Sequence, residues 1–191
     1  MPTTGHSGEL VWERPSGAAA LDRRSVRTRR ALLAAFIELV LERGYAAIGI
    51  ADIVQLADIG RSTFYAHFRS KDELLIASMQ WMFDILADSA IPGAPRDALD
   101  GLVAHFWSNR RLAQVVLSHP IEPKLRRALT ETLQRRLAAQ PLGNTDPQLV
   151  KLAAIRIAAA QLGILAAWAK GEVSATQRAV ADAMLTTTRS S

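Results

Sequence analysis

The chain has 191 residues, 49% of them hydrophobic, which supplies a core for one domain or two small ones and excludes a disordered protein. Lys and Arg number 23 against 18 Asp and Glu, so the formal charge of +5 permits an anionic partner without demanding one. There is no cysteine, which excludes disulfides, zinc-thiolate sites and thiol nucleophiles and fits a cytoplasmic location.

Residues 1–22 are rich in Gly, Pro, Ser and Thr and lack the basic-then-apolar order of a secretory signal, so a disordered tail is expected there. Five arginines follow within eight residues, Arg23, Arg24, Arg27, Arg29 and Arg30, with no acid among them. Such a run can neutralise several backbone phosphates. The same stretch opens a helix, because Leu32, Leu33, Phe36, Ile37, Val40 and Leu41 recur at three- and four-residue intervals until Gly44. A second helix, of about two turns, carries Ile50, Ile53, Val54 and Ala57 on one side. Asp58-Ile59-Gly60 is a short break, and RSTFYAHF reads as a third helix. Ser70 followed by Glu73 forms a capping box and predicts a fourth helix from Lys71 to about Ala90, ended by the prolines and glycine of IPGAP.

Beyond that, ALDGLVAHFWSNRRLAQVVLSH predicts two helices or one broken helix, and PKLRRALTETLQRRLAAQ predicts another. QPLGNTDPQ reads as a turn-rich linker. A long helix follows over 148–170, stopped by Gly171, and SATQRAVADAMLTT supplies the last. No strand-like alternation occurs, and the fold class is all-α. Between Leu152 and Ala169 only Arg156 and Gln161 interrupt an apolar run of 18 residues, long enough to raise a membrane question. Alanine and glycine supply most of that run, and a mid-span arginine costs about 2.5–3.5 kcal/mol in a bilayer. The expectation is therefore no membrane, with one face of the helix on the chain's own core and the other on a partner subunit.

The third helix is where chemistry concentrates. Phe64 and Phe68 stand four residues apart and share a face that can dock on the first two helices. A short helix pinned by aromatics, preceded by a helix and a tight turn, is a helix-turn-helix, whose second helix enters the major groove of DNA. Arg61 can donate a bidentate pair to guanine, and Ser62 and Thr63 can bond to either base type. Tyr65 and His67 can reach phosphate oxygens, and Lys71, at the start of the fourth helix, would complete a phosphate site there. Arg27 and Arg29 add charge from the first helix. This places a DNA-binding domain at 23–70 and a larger helical domain at 71–191.

TRRALLAAFIELVLERGY and IADIVQLADIGRSTFYAHFRSKDELL together resemble the N-terminal domain of the TetR family of bacterial transcriptional regulators, over about residues 27–79. The resemblance implies a homodimer that binds a palindromic double-stranded DNA operator and is released by a small-molecule effector in its C-terminal domain. It assigns Arg61, Ser62, Thr63 and Tyr65 to bases and nearby phosphates, and His67 and Lys71 to the DNA backbone. The threonines usual in the family at the start of helix two are Ile48 and Gly49 here, its arginine is Ala51, its turn glycine is Asp58 and its capping serine is Gly60. The arginines at 23–30 are the expected compensation. QLGILAAWAKGEVSATQRAVADAML resembles the last two helices of the family, which implies a dimer interface at Leu162, Leu165, Trp168, Val180 and Met184.

Trp81, Phe83, His105, Phe106, Trp107 and His119 are candidates for the wall of a mostly apolar effector pocket. His105 and His119 have no acid at metal-ligand spacing, so neither a metal nor a cofactor beyond the effector is expected. Nor is an enzyme expected: the chain carries no Gly-rich phosphate loop, no Gly-x-Ser-x-Gly elbow and no His-Glu-x-x-His helix. The remaining rival is a helical protein-interaction module with a helix-turn-helix shape that no longer binds DNA.

Overall fold

The computed structural model describes residues 23–118, 120–140 and 146–189, with side chains described from 25 to 185. The expected tail at 1–22, His119 and part of the 140–148 linker lie outside the described residues. Among the described residues there are nine α-helices and no strand, as the all-α reading requires. They are α1 (Arg23–Arg43), α2 (Ile50–Leu56), α3 (Arg61–His67), α4 (Lys71–Ser89), α5 (Arg96–Ser108), α6 (Arg110–Val116), α7 (Glu122–Ala138), α8 (Pro147–Lys170) and α9 (Gln177–Arg189).

Local chemistry sets the ends. Gly44 takes the left-handed conformation at φ 80°, and its N–H donates to the Val40 carbonyl at 3.0 Å, closing α1. Ser70 Oγ accepts from Glu73 N at 3.1 Å while Glu73 Oε2 accepts from Arg69 N at 2.6 Å, so the capping box forms with its return bond shifted by one residue. The segment left open as one broken helix or two is broken at Asn109 (φ −111°, ψ 35°), which separates α5 from α6. Asp146 caps α8 by accepting from Gln148 N at 2.8 Å. At its other end the Ala169 carbonyl accepts from Arg110 Nε at 2.6 Å and Gln114 Nε2 at 2.8 Å, both from α6.

The helices α1 to α3 form a small head, and α4 runs from the head into the body. Leu74 and Leu75, near the start of α4, are buried, as are Met82, Phe83 and Leu86 farther along it. Burying each side chain of this kind contributes about 1.5–3 kcal/mol. The helix α7 lies along α4 in the same direction: Lys124 meets Asp72 at 2.5 Å near one end and Arg136 meets Asp88 at 3.0 Å near the other. Next come α8 against α7, and α9 against α8 and α5.

The helix α8 is long and apolar enough to cross a membrane by length and composition. Its inner stripe, Ala154, Ile157, Ala158, Leu162 and Leu165, is buried in the bundle. Gln161 is fully buried among them and donates to the Leu86 carbonyl at 3.0 Å and to Ser89 Oγ at 3.2 Å. The expectation for a subunit interface is corrected here. Leu162, Leu165, Trp168, Val180 and Met184 are 1%, 0%, 3%, 3% and 0% exposed and lie in the chain's own core. Alanine on both faces of α8 hid the inner stripe from the outer in the sequence. The outer stripe runs through Leu149, Leu152, Ile155, Ala159 and Gly163.

Candidate nucleic-acid interface

Helix α2 starts without a side-chain cap at Gly49, and Asp52 supplies the missing acceptor: its carboxylate takes the Gly49 N–H at 2.7 Å and lies 3.6 Å from Arg43. The turn after α2 is closed by two backbone bonds, Asp58 N to the Gln55 carbonyl at 3.2 Å and Ile59 N to the Val54 carbonyl at 3.0 Å. That pattern needs a left-handed residue between them, and Asp58 adopts it at φ 53°. Aspartate tolerates this region better than most non-glycine residues, because its short polar side chain bonds locally. The departure noted at Asp58 therefore leaves the turn intact.

The turn delivers α3 with a clean division of faces. Phe64 and Phe68 are 0% and 2% exposed, their ring centroids 6.0 Å apart, and they fix the helix to the head. Arg61, Ser62, Thr63 and Tyr65 are exposed on the other side, and His67 is half-buried. The Tyr65 ring stands edge-on to Phe64 at 5.5 Å, which steadies its outward reach. In α1, Arg27 and Arg29 are both exposed, and the Arg29 guanidinium lies over the Phe68 ring at 5.0 Å, near the end of α3. The structure thus brings Arg29 to the recognition helix. The stretch from Arg23 onward is helical, the first turns of α1 rather than a separate arm.

Lys71 departs from expectation. Its Nζ donates to the carbonyls of Tyr45 at 2.7 Å and Ile48 at 2.6 Å, and sits 4.2 Å from the Tyr45 ring centroid. Burial holds its pKa below the usual lysine value, nearby Lys124 adds to that, and Asp52 opposes it. The ammonium is committed to the carbonyls of the α1–α2 loop, a correction to its assignment as a phosphate ligand. No local pattern signals this, since the acceptors are backbone groups 26 and 23 residues upstream.

In the body, Trp81, His105 and Phe106 line one cleft with Met79, Asn109, Leu112, Ala113 and Val116. The cleft encloses about 290 Å³, part of it open to solvent, and as it stands admits roughly one water molecule. Trp81 meets His105 edge-on at 5.2 Å, and burial lowers the His105 pKa below its ordinary 6.5, favouring the neutral ring. Asn109 Nδ2 donates to the His105 carbonyl at 3.0 Å. Trp107 is corrected: it is 44% exposed, stacks on Trp168 at 4.8 Å and lies beneath the Arg110 guanidinium, away from the cleft. Phe83 is fully buried core. The walls from α6, missed in the sequence, follow its spacing of 112, 113 and 116 on one face. No group of three or more His, Cys, Asp or Glu able to hold a metal occurs among the described residues.

A buried aromatic anchor, an outward row of arginine, hydroxyls and tyrosine, and a tight preceding turn define a helix-turn-helix protein with its recognition helix exposed. Residues 32–78 match the bacterial regulatory proteins of the tetR family. It is similar to an uncharacterised HTH-type transcriptional regulator, YxbF, of Bacillus subtilis (48% identity over 61 residues, 31% of this chain and 16% of that one). It is also similar to the HTH-type transcriptional regulator CymR of Pseudomonas putida (34% over 65 residues, 34% of this chain and 32% of that one). The alignments thus span no more than about a third of these relatives. Over nearly its whole length the fold is that of a TetR-family regulator from Streptomyces coelicolor: TM-score 0.65, 21% identity, 90% of this chain and 97% of that one.

Proposed function

We propose that the chain is a transcriptional regulator that binds a palindromic DNA operator as a homodimer and is released when a small molecule enters the α4–α5–α6 cleft. The observation that carries this reading is α3, where Phe64 and Phe68 hold the helix from behind while Arg61, Ser62, Thr63 and Tyr65 stand free in front. Arg61 has the donor fork that guanine accepts, and Ser62 and Thr63 serve either base type. Tyr65, His67, Arg27 and Arg29 serve the phosphates.

The second copy is assigned to the outer stripe of α8. Leu149, Leu152 and Ile155 are 48%, 62% and 44% exposed, and Ala159 and Gly163 continue the stripe with small residues that allow close approach of a partner helix. Occlusion of a promoter is the simplest outcome of such binding. A duplex selected from a random library tests the reading. Arg61→Ala lowers affinity by about 1–3 kcal/mol and relaxes specificity at one position of each half-site. An interaction module that has lost DNA shows no binding to any duplex at low salt, before or after the substitution.

A further inference from the structure

We propose that Lys124, on the first turn of α7, is a positioning residue that straps the body to the head through Asp72 and Tyr45 and passes displacement of α6 on to the recognition helix. The strap itself stands on geometry alone. Only its last step, control by an occupant of the cleft, rests on the function proposed above.

Tyr45 is the first residue after the Gly44 stop of α1. It is 6% exposed and edge-on to Phe36 at 6.3 Å. Its hydroxyl donates to Asp72 Oδ1, and Lys124 Nζ donates to Asp72 Oδ2 at 2.5 Å while standing 5.3 Å from the Tyr45 ring centroid. One carboxylate therefore joins the end of α1, the start of α4 and the start of α7. The loop that Tyr45 opens passes the buried Ile48 and becomes α2, so where Tyr45 sits decides where α2 and α3 sit.

The other end of the linkage is α6, which gives Leu112, Ala113 and Val116 to the cleft. Bonds on either side of residue 119 tie α6 to α7: Leu117 N donates to the Ala113 carbonyl at 2.8 Å, Ser118 Oγ to the Val115 carbonyl at 2.7 Å and Glu122 N to the Ser118 carbonyl at 2.8 Å. Leu117 and Ile121 are buried at 2% and 1% exposure, which anchors the joint at both ends. A displaced α6 must carry the base of α7 with it. The cleft has space for roughly one water, so a larger occupant must push back one of its walls, and α6 supplies three of the lining residues. A shift of about 1 Å takes the Lys124–Asp72 bond beyond bonding distance.

The test is hydrogen exchange on the full chain, with the affinity for a duplex selected from a random library. Lys124→Met raises exchange at residues 44–49 about tenfold, Lys124→Arg restores it, and residues 128–133 of α7 do not change. Ala113→Phe, which fills the cleft without any ligand, raises the same amides in the parent chain and adds little in Lys124→Met; Ala113→Val serves if the larger wedge unfolds the protein. Duplex affinity falls at least about fivefold in Lys124→Met and recovers in Lys124→Arg. Unchanged exchange at 44–49, fully additive effects of the two substitutions, or equal duplex affinity in all three chains overturns the strap. A protein that binds no duplex yet shows the exchange pattern removes the DNA-reading function and leaves the strap standing.

Discussion

Replacing Lys71 by methionine separates a lysine that builds the head from one that grips DNA. The ammonium makes two bonds to carbonyls, at 2.6 and 2.7 Å, from a half-buried position. Bonds from a charged donor contribute about 1.5–3 kcal/mol each where fully buried, and partial exposure lets water replace much of this, leaving a loss of about 2 kcal/mol for the pair. In a chain of this size that lowers the midpoint of thermal unfolding by roughly 4–8 °C, read by circular dichroism. Fluorescence anisotropy of a selected duplex at several salt concentrations supplies the second reading. A lysine spent on carbonyls leaves the slope of log K against log salt unchanged, whereas each lost phosphate contact makes it shallower by about 0.9. An unaltered melting temperature together with a shallower slope would refute the assignment of Lys71 to the loop.

Phe64→Ala removes a fully buried ring and should cost about 3–5 kcal/mol, seen as unfolding of the head and loss of duplex binding while α7 and α8 keep their protection from exchange. Asp58→Gly relieves a left-handed residue at φ 53° and should raise stability by up to about 1 kcal/mol in urea titrations, with duplex affinity unchanged. Burial sets the His105 pKa below 6.5, so the unfolded chain takes up its proton first and stability is lost as pH falls through this range. Denaturant midpoints measured from about pH 7 to about pH 5 should therefore fall less steeply in His105→Gln than in the parent chain.

What could be read from the sequence was whatever neighbours in the chain decide. The spacing of Phe64 and Phe68, the stop at Gly44 and the Ser70–Glu73 cap involve residues within four of one another, and the structure has all three. Lys71 and Trp107 failed for the opposite reason. The acceptors of Lys71 lie in a loop two helices earlier, and the direction of Trp107 is set by Trp168 and Arg110, the first of them 61 positions away by number. The inner stripe of α8 was equally hidden, because small residues line both of its faces and only packing against α7 and its other neighbours tells Leu162 from Leu152.

The claim underneath the rest is that two copies of α3 read one duplex. Hydroxyl-radical footprinting of a selected duplex addresses it directly. Two protected patches related by a two-fold axis, with centres roughly 34 Å apart or a multiple of that, are the predicted result. A single unpaired patch, or no protection at low ionic strength, contradicts it.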